Sequence, residues 1–304
     1  MNKIVVIAGP TAVGKTEYAI KAAQAFNGEI VSCDSMQLYK YMDIGSAKPT
    51  CEEQKAAPHH LVDIIDPRDD FSVAEYQKLA KDKILTLLNE NKLPVIAGGT
   101  GLYLNSILYD MDFGGGGADN EIRKKYEKIA KELGNEELYK MLQQADPDAA
   151  KRLHPNNTKR VIRALESIET GHEGIKSFNE VSVKTSEYEA ILIGLTRDRT
   201  ELYDRINRRV DIMMDLGLVD EVKKLMSMGL DADSISMKGI GYKEIIGYLK
   251  GEYDIDEAVR LIKRNSRRYA KRQLTWFKRY DDMKWFNLSY EGLGDMLSWL
   301  KKRI

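Results

Sequence analysis

The stretch Gly9-Pro10-Thr11-Ala12-Val13-Gly14-Lys15-Thr16 decides how the chain is read. It follows an apolar run, Ile4-Val5-Val6-Ile7-Ala8, of the kind a buried strand carries. It opens Lys15 to Phe26, where alanines and long side chains predict a helix. Strand, GxxxxGK[ST] and helix, in that order, are the context that marks a phosphate-binding loop. Gly9 and Gly14 let the backbone wrap with its N–H groups inward, and the helix N-terminus adds partial positive charge. Lys15 offers a full charge to terminal phosphate oxygens, and the Thr16 hydroxyl is placed to ligate Mg2+. A glycine-rich turn with a surface lysine is the plainer alternative, and the flanking strand and helix argue against it. Gly9, Pro10, Thr11, Ala12, Val13, Gly14, Lys15 and Thr16 are therefore the candidate diphosphate- or nucleotide-binding set. They do not say whether the phosphate is transferred, hydrolysed or discarded.

Working outward, 304 residues are enough for one large domain with an appendage, or for two domains. The 47 basic and 47 acidic side chains cancel, so any attraction to nucleic acid must come from local clustering. The chain enters its first strand with no signal-peptide pattern, and no apolar run approaches a membrane helix in length. Cys33 and Cys51 suit a reducing compartment, and His59, His60, His154 and His172 make no zinc-binding pattern. A cytoplasmic protein without membrane contact is expected.

Downstream, Glu29 to Asp34 reads as a second short strand, ending in a carboxylate. Ligands in open α/β sheets sit beyond the carboxyl ends of the strands, so Asp34 is expected near the phosphate loop, on a neighbouring strand. Asp34 could ligate Mg2+ or accept a proton; as a plainer role, Asp34 or Ser35 caps the following turn. His59 to Asp66 reads as another strand. Ser72 starts a helix to about Asn89, with Glu75 completing a capping box. Leu93 to Ala97 reads as a buried strand, followed by a second glycine-rich turn, Gly98-Gly99-Thr100-Gly101-Leu102-Tyr103. Gly114 to Gly117 reads as a linker, and Asp119 to about Gly171 shows only helical periodicity. Ser177 to Glu189 is polar and loop-like, and Ala190 to Leu195 returns as a strand. The expected architecture is α/β, a parallel-sheet core of residues 1–113 and 187–304 with an all-helical insertion of 114–186 and a helical C-terminal region.

Two later stretches carry charge. A helix starting near Thr200 places Arg205 and Arg209 on one face. Arg260 to Arg279 holds nine lysines and arginines and no acid. Ile262, Tyr269, Ala270, Leu274 and Phe277 form an apolar stripe there, while Arg260, Arg264, Arg267, Arg268 and Lys271 line another side. Such density fits a phosphate-backbone partner, with Tyr269 and Trp276 available to pack or stack on bases; a merely solvated helix is the alternative.

These motifs together resemble the tRNA dimethylallyltransferase (isopentenyl-diphosphate:tRNA isopentenyltransferase) family over almost the whole chain. The resemblance rests on GPTAVGKT at 9–16, DSMQLY at 34–39, DIGSAKP at 43–49, GGTGLY at 98–103, RALE at 163–166, KGIGYK at 238–243 and KRQLTWF at 271–277. It implies a P-loop NTPase-like core with a helical insertion, acting as a monomer. It further implies transfer of a dimethylallyl group from dimethylallyl diphosphate to N6 of the adenosine just 3′ of the anticodon, position 37, with diphosphate leaving. On this reading Lys15, Thr16 with Mg2+, and Arg209 or Arg205 hold the leaving group, and Asp34 takes the amine proton. Asp34, Ser35, Met36, Gln37 and Thr100 would meet the extruded nucleotide. Arg123, Lys159, Arg160, Val161, Ile162 and Arg163 on the insertion would grip the anticodon stem-loop. Lys238, Gly239, Ile240, Gly241, Tyr242 and Lys243, with Lys271, Arg272, Gln273, Thr275, Trp276 and Lys278, would complete the RNA surface. A small-molecule kinase and a non-catalytic RNA-binding NTPase remain as rivals. The kinase has no use for the basic helix, and the NTPase has none for Asp34 to Tyr39.

Overall fold

The computed structural model describes residues 2–111, 120–171 and 183–304. The expected Gly114–Gly117 linker, the 113/114 boundary, His172 and part of the 177–189 loop lie outside the described residues. The chain divides into two compact units, one of residues 1–108 with 185–304 and one of residues 109–184.

The first unit is built on six parallel strands in the order β3-β2-β4-β1-β5-β6. These are β1 (Lys3–Ala8), β2 (Gly28–Cys33), β3 (His59–His60), β4 (Leu93–Gly98), β5 (Glu189–Thr196) and β6 (Lys284–Asn287). The apolar runs at β1, β4 and β5 become the centre of the sheet because a parallel sheet covered on both faces needs such runs. Val5 to Ala8 pair with Val95 to Gly98 on one side, and Lys3 to Ala8 with Glu189 to Gly194 on the other. Val5, Ile7, Val95, Ile193 and Leu195 join one core with Tyr18 and Ala22 of α1 (Lys15–Ala25).

The expectation that β2 neighbours β1 is corrected: β4 lies between them. As a result the two glycine-rich turns, which follow β1 and β4, leave adjacent strand ends. The expected strand from His59 to Asp66 is also shorter, only His59–His60. Leu61 and Asp63 stand at φ 58° and 57°, in the left-handed region, which no strand accommodates. Helix α2 (Cys51–Ala56) precedes β3; α3 (Val73–Asn89) and α4 (Gly101–Leu108) flank β4. Ser72 and Glu75 cap α3 reciprocally, as the sequence pattern implied.

Among its described residues the second unit contains four helices, α5 (Asn120–Leu133), α6 (Asn135–Ala145), α7 (Pro147–Arg152) and α8 (Thr158–Glu169). They close on their own core of Tyr126, Leu138, Leu142, Val161 and Leu165. After β5, helices α9 (Arg199–Asp215), α10 (Leu218–Ser227), α11 (Tyr242–Leu249) and α12 (Ile255–Phe277) pack around Val210, Leu218, Val222, Tyr242, Ile245 and Ile262. The C-terminal β6 and α13 (Leu293–Lys301) complete the first unit, a strand and helix that the sequence reading did not separate.

Candidate active site

The phosphate loop runs from the end of β1 to the start of α1. Gly14 stands at φ 114° just before α1, a conformation suited to glycine. Ala12 is also left-handed, at φ 62°. The strain is held because cations bind the loop's outward carbonyls. Arg205 Nε donates to Ala12 O at 2.9 Å, and Arg197 Nε to Val13 O at 3.0 Å. Lys15 folds back, its Nζ 3.1 Å from Gly9 O and 2.9 Å from Pro10 O. Lys15 is half-buried, but its ammonium end is desolvated, which lowers its pKa to about 8; Asp34 pulls the other way and Arg209 adds to the lowering. This is a cation held short of its usual charge stability, and an arriving anion restores it.

The two expected arginines differ. Arg205 spends Nε on the loop. Arg209 makes no hydrogen bond or ion pair among the described residues. Desolvation lowers the pKa of its guanidinium, with Asp34 opposing. A desolvated, unpaired guanidinium is the better anion clamp of the two. Arg197 was missed by sequence reasoning, although its place right after β5, at the ligand end of the sheet, was a usable signal.

Asp34 follows β2. Its Oδ1 accepts the Met36 N–H at 2.9 Å, so the plain capping role is real, and it uses one oxygen. Next to it, the Ser35 N–H donates to Thr100 Oγ1 at 3.0 Å. Burial, with Asp34 nearby, pushes the Tyr269 phenol up to about 12, so Tyr269 stays neutral. The Gln37 amide is held by Ser32 Oγ at 3.0 Å and Ala47 O at 3.2 Å. Asp34, Ser35, Gln37, Thr100, Lys15 and Arg209 are thus brought to one end of the sheet, and Met36 packs on Gly239 there.

Several residues expected on the RNA surface face inward instead. Tyr242 is fully buried, its hydroxyl 2.9 Å from Glu221 Oε1. Gly241 is buried and donates its N–H to Glu244 Oε2 at 2.7 Å. Gln273 is buried at 5% exposure, at the i+3 position from Ala270 and i−4 from Phe277 on the apolar stripe of α12. Trp276 lies against Gly101, where an added Cβ would come 2.3 Å from its ring, so the expected base-stacking indole is half-buried packing. In the helical unit, Val161 and Ile162 belong to the core. Arg123 is paired with the buried Glu166 at 3.0 Å, and Arg163 approaches the same carboxylate at 3.4 Å. Lys159, Arg160 and Arg163 are exposed.

The basic stretch of α12 is partly partnered from outside it, by an acid one turn earlier in the same helix and by residues of α9. Arg260 pairs with Glu257 and Lys263 with Asp211, each at 2.5 Å, and Arg267 Nη1 donates to Asn207 at 2.5 Å. Arg268, Lys271 and Lys278 are exposed and make no hydrogen bond or ion pair among the described residues. With exposed Arg272 and Thr275, and with Lys238 from the turn before α11, they are what remains for a polyanion, while exposed Lys243 lies 3.7 Å from Glu244 Oε1.

No helix among the described residues is long and apolar enough to cross a membrane. No group of three or more His, Cys, Asp and Glu could hold a metal there. Thr16, one residue into α1, makes no hydrogen bond among the described residues, which fits a Mg2+ held mostly by ligand phosphates and water.

The IPP transferase family model matches residues 37–280. A tRNA dimethylallyltransferase of Alkaliphilus oremlandii is 56% identical over 95% of this chain and 92% of its own. One of Clostridioides difficile is 52% identical over 97% of this chain and 96% of its own. The crystal structure of the full-length tRNA isopentenylpyrophosphate transferase of Bacillus halodurans superposes with a TM-score of 0.75 at 44% identity, covering 99% of this chain and 96% of that one. A eukaryotic dimethylallyltransferase acting on tRNA superposes with a TM-score of 0.82 at 27% identity, covering 99% of this chain and 78% of that one.

Proposed function

The chain belongs to the IPP transferase family, and we propose that its site moves a dimethylallyl group from dimethylallyl diphosphate to N6 of adenosine 37 in tRNA. The protein is a tRNA-modifying transferase, a tRNA dimethylallyltransferase in activity. The observation that carries the finer reading is that an anion loop and a carboxylate stand at the same end of the sheet: Lys15 beyond β1 and Asp34 directly after β2, close enough for the Asp34 charge to act on Lys15. A phosphate loop alone would serve a kinase as well.

The chemistry follows from these groups. The allylic C–O bond breaks as the diphosphate takes on charge, and the N–C bond to the adenine amine forms. Lys15, Arg209 and the loop amides neutralise the leaving diphosphate from fixed positions. Mg2+, held by Thr16 and diphosphate oxygens, would add further neutralisation. Asp34 accepts the proton that the amine sheds, and the diphosphate departs with the bond electrons. Thr100, fixed by Ser35, lines the approach of the extruded base. Lys238, Lys243, Arg268, Lys271, Arg272 and Lys278 bind phosphates of the anticodon stem-loop, and Lys159, Arg160 and Arg163 supply phosphate contacts from the helical unit. A monomer working in the cytoplasm, where its RNA is, suffices for this scheme. Binding of Mg2+ would be read by titrating the diphosphate complex calorimetrically with and without the ion.

The test is incubation with labelled dimethylallyl diphosphate, Mg2+ and unmodified tRNA, followed by nucleoside analysis. Label on N6 of adenosine 37, with diphosphate released, is the expected result. ADP formed from ATP and a small acceptor, with no label in RNA, would turn the reading to a kinase.

A further inference from the structure

Gln273 is an anomaly on its helix. Its neighbours Arg268, Lys271 and Arg272 on α12 are exposed cations, yet Gln273 itself is buried with Ala270 and Phe277. An apolar side chain would fill that place without the cost of burying an amide. The amide instead meets two specific partners. Its Oε1 accepts the Thr11 N–H at 2.9 Å, and its Nε2 donates to Gly99 O at 2.9 Å. A backbone N–H on one side and a carbonyl on the other fix which end is which, so the amide has one orientation. The fit is tight: a Cβ on Gly99 would come 2.2 Å from Nε2.

The partners belong to the two halves of the reaction. Thr11 lies in the phosphate loop. Gly99 precedes Thr100, whose hydroxyl holds the Ser35 N–H at 3.0 Å, and Ser35 follows Asp34. A short line of contacts thus runs from the leaving-group loop through Gln273 to the proton acceptor. The same helix carries the free cations Arg268 and Lys271 and ends just before Lys278.

We propose that Gln273 is a positioning residue, which sets the spacing between the diphosphate loop and the turn that lines the accepting base. It touches neither substrate. It acts by holding Thr11 and Gly99 at one separation, so that the allylic carbon and the amine nitrogen meet in line. This rests on the transferase reading of the site.

The test uses full-length Gln273→Met, which keeps the length and loses both hydrogen bonds. A reactive geometry displaced by about an ångström costs on the order of 100-fold in rate. The single-turnover rate at saturating tRNA and dimethylallyl diphosphate is therefore expected to fall about 10- to 100-fold. Dissociation constants for both substrates are expected to stay within about twofold, because neither touches the residue. A rate within twofold of the unmodified enzyme overturns the proposal, as does a loss confined to tRNA affinity, which would make Gln273 an RNA contact. If Gln273→Met does not fold, Gln273→Glu keeps the acceptor for Thr11 and loses the donor to Gly99. A reduced rate with unchanged affinities then supports the proposal, and a normal rate overturns it. Absence of transfer by the unmodified enzyme would overturn the transferase reading itself, a result distinct from either.

Discussion

At the residue scale, the roles proposed for Asp34 and Lys15 can be tested separately. Asp34 uses Oδ1 to hold the Met36 amide, a job an asparagine oxygen performs as well. Asp34→Asn should therefore keep the turn and lose the base, lowering the single-turnover rate by about 10²- to 10⁴-fold. A rapid-quench rate near that of the unmodified enzyme would remove Asp34 from this role. Lys15 predicts a pH dependence. Its pKa in the free site is about 8, lowered by desolvation, and a bound diphosphate raises it. Below about 8 the lysine is already charged and affinity for dimethylallyl diphosphate should be flat. Above that value binding must take up a proton, so affinity should fall as pH rises, by at most about tenfold per unit. Calorimetry across this range checks the break, and Lys15→Arg, whose charge does not titrate there, should abolish it.

At the scale of elements, two helices organise what the motifs only name. Helix α12 presents Lys271 to solvent with no ion pair among the described residues. Lys271→Ala should weaken tRNA binding and reduce the slope of log K against log salt by about one unit. A constant slope would show that this lysine meets no phosphate. Helix α10 holds the 43–49 motif through Glu221. The carboxylate accepts the N–H groups of Asp43 at 2.8 Å, Ile44 at 2.8 Å and Gly45 at 3.0 Å, as well as the Tyr242 hydroxyl. Three successive amides around one carboxylate form an anion nest whose anion is part of the chain. Glu221→Ala should cost about 2–3 kcal/mol of stability, the scale of losing charged hydrogen bonds and stranding their donors. Denaturant unfolding measures it, and a loss below about 0.5 kcal/mol, the range of an ordinary surface change, would show that water replaces the carboxylate at no cost.

For the whole molecule, the ends of the first unit that flank the helical segment meet, since Thr185 N–H donates to Leu108 O at 3.0 Å. Replacing residues 109–184 with a short turn should leave the sheet folded and its affinity for dimethylallyl diphosphate within a few-fold. The salt slope of RNA binding should drop by about two to three units as Lys159, Arg160 and Arg163 are removed. An unchanged slope would mean that the helical unit contributes no phosphate contacts. Much of this organisation was legible beforehand. The glycine-rich turns after apolar runs, the 3.6-residue periodicity of α5 to α8 and the capping box of α3 are local patterns, and local patterns are what a sequence displays. The inward turn of Tyr242 and Gln273 was not legible, because a motif does not say which of its side chains turn inward, whereas that of Val161 and Ile162 follows the apolar periodicity of their helix. Nor was the pairing of Lys263 and Arg267, where Asp211 and Asn207 come from another helix. The sequence by itself determined the central strands, most of the helices and the family. Only the tertiary structure placed β4 between β1 and β2, and only it brought Gln273 to Thr11 across 262 residues. The physical reason is that backbone propensity and periodicity act over a few residues, whereas burial and charge compensation are set by neighbours that the fold alone assembles.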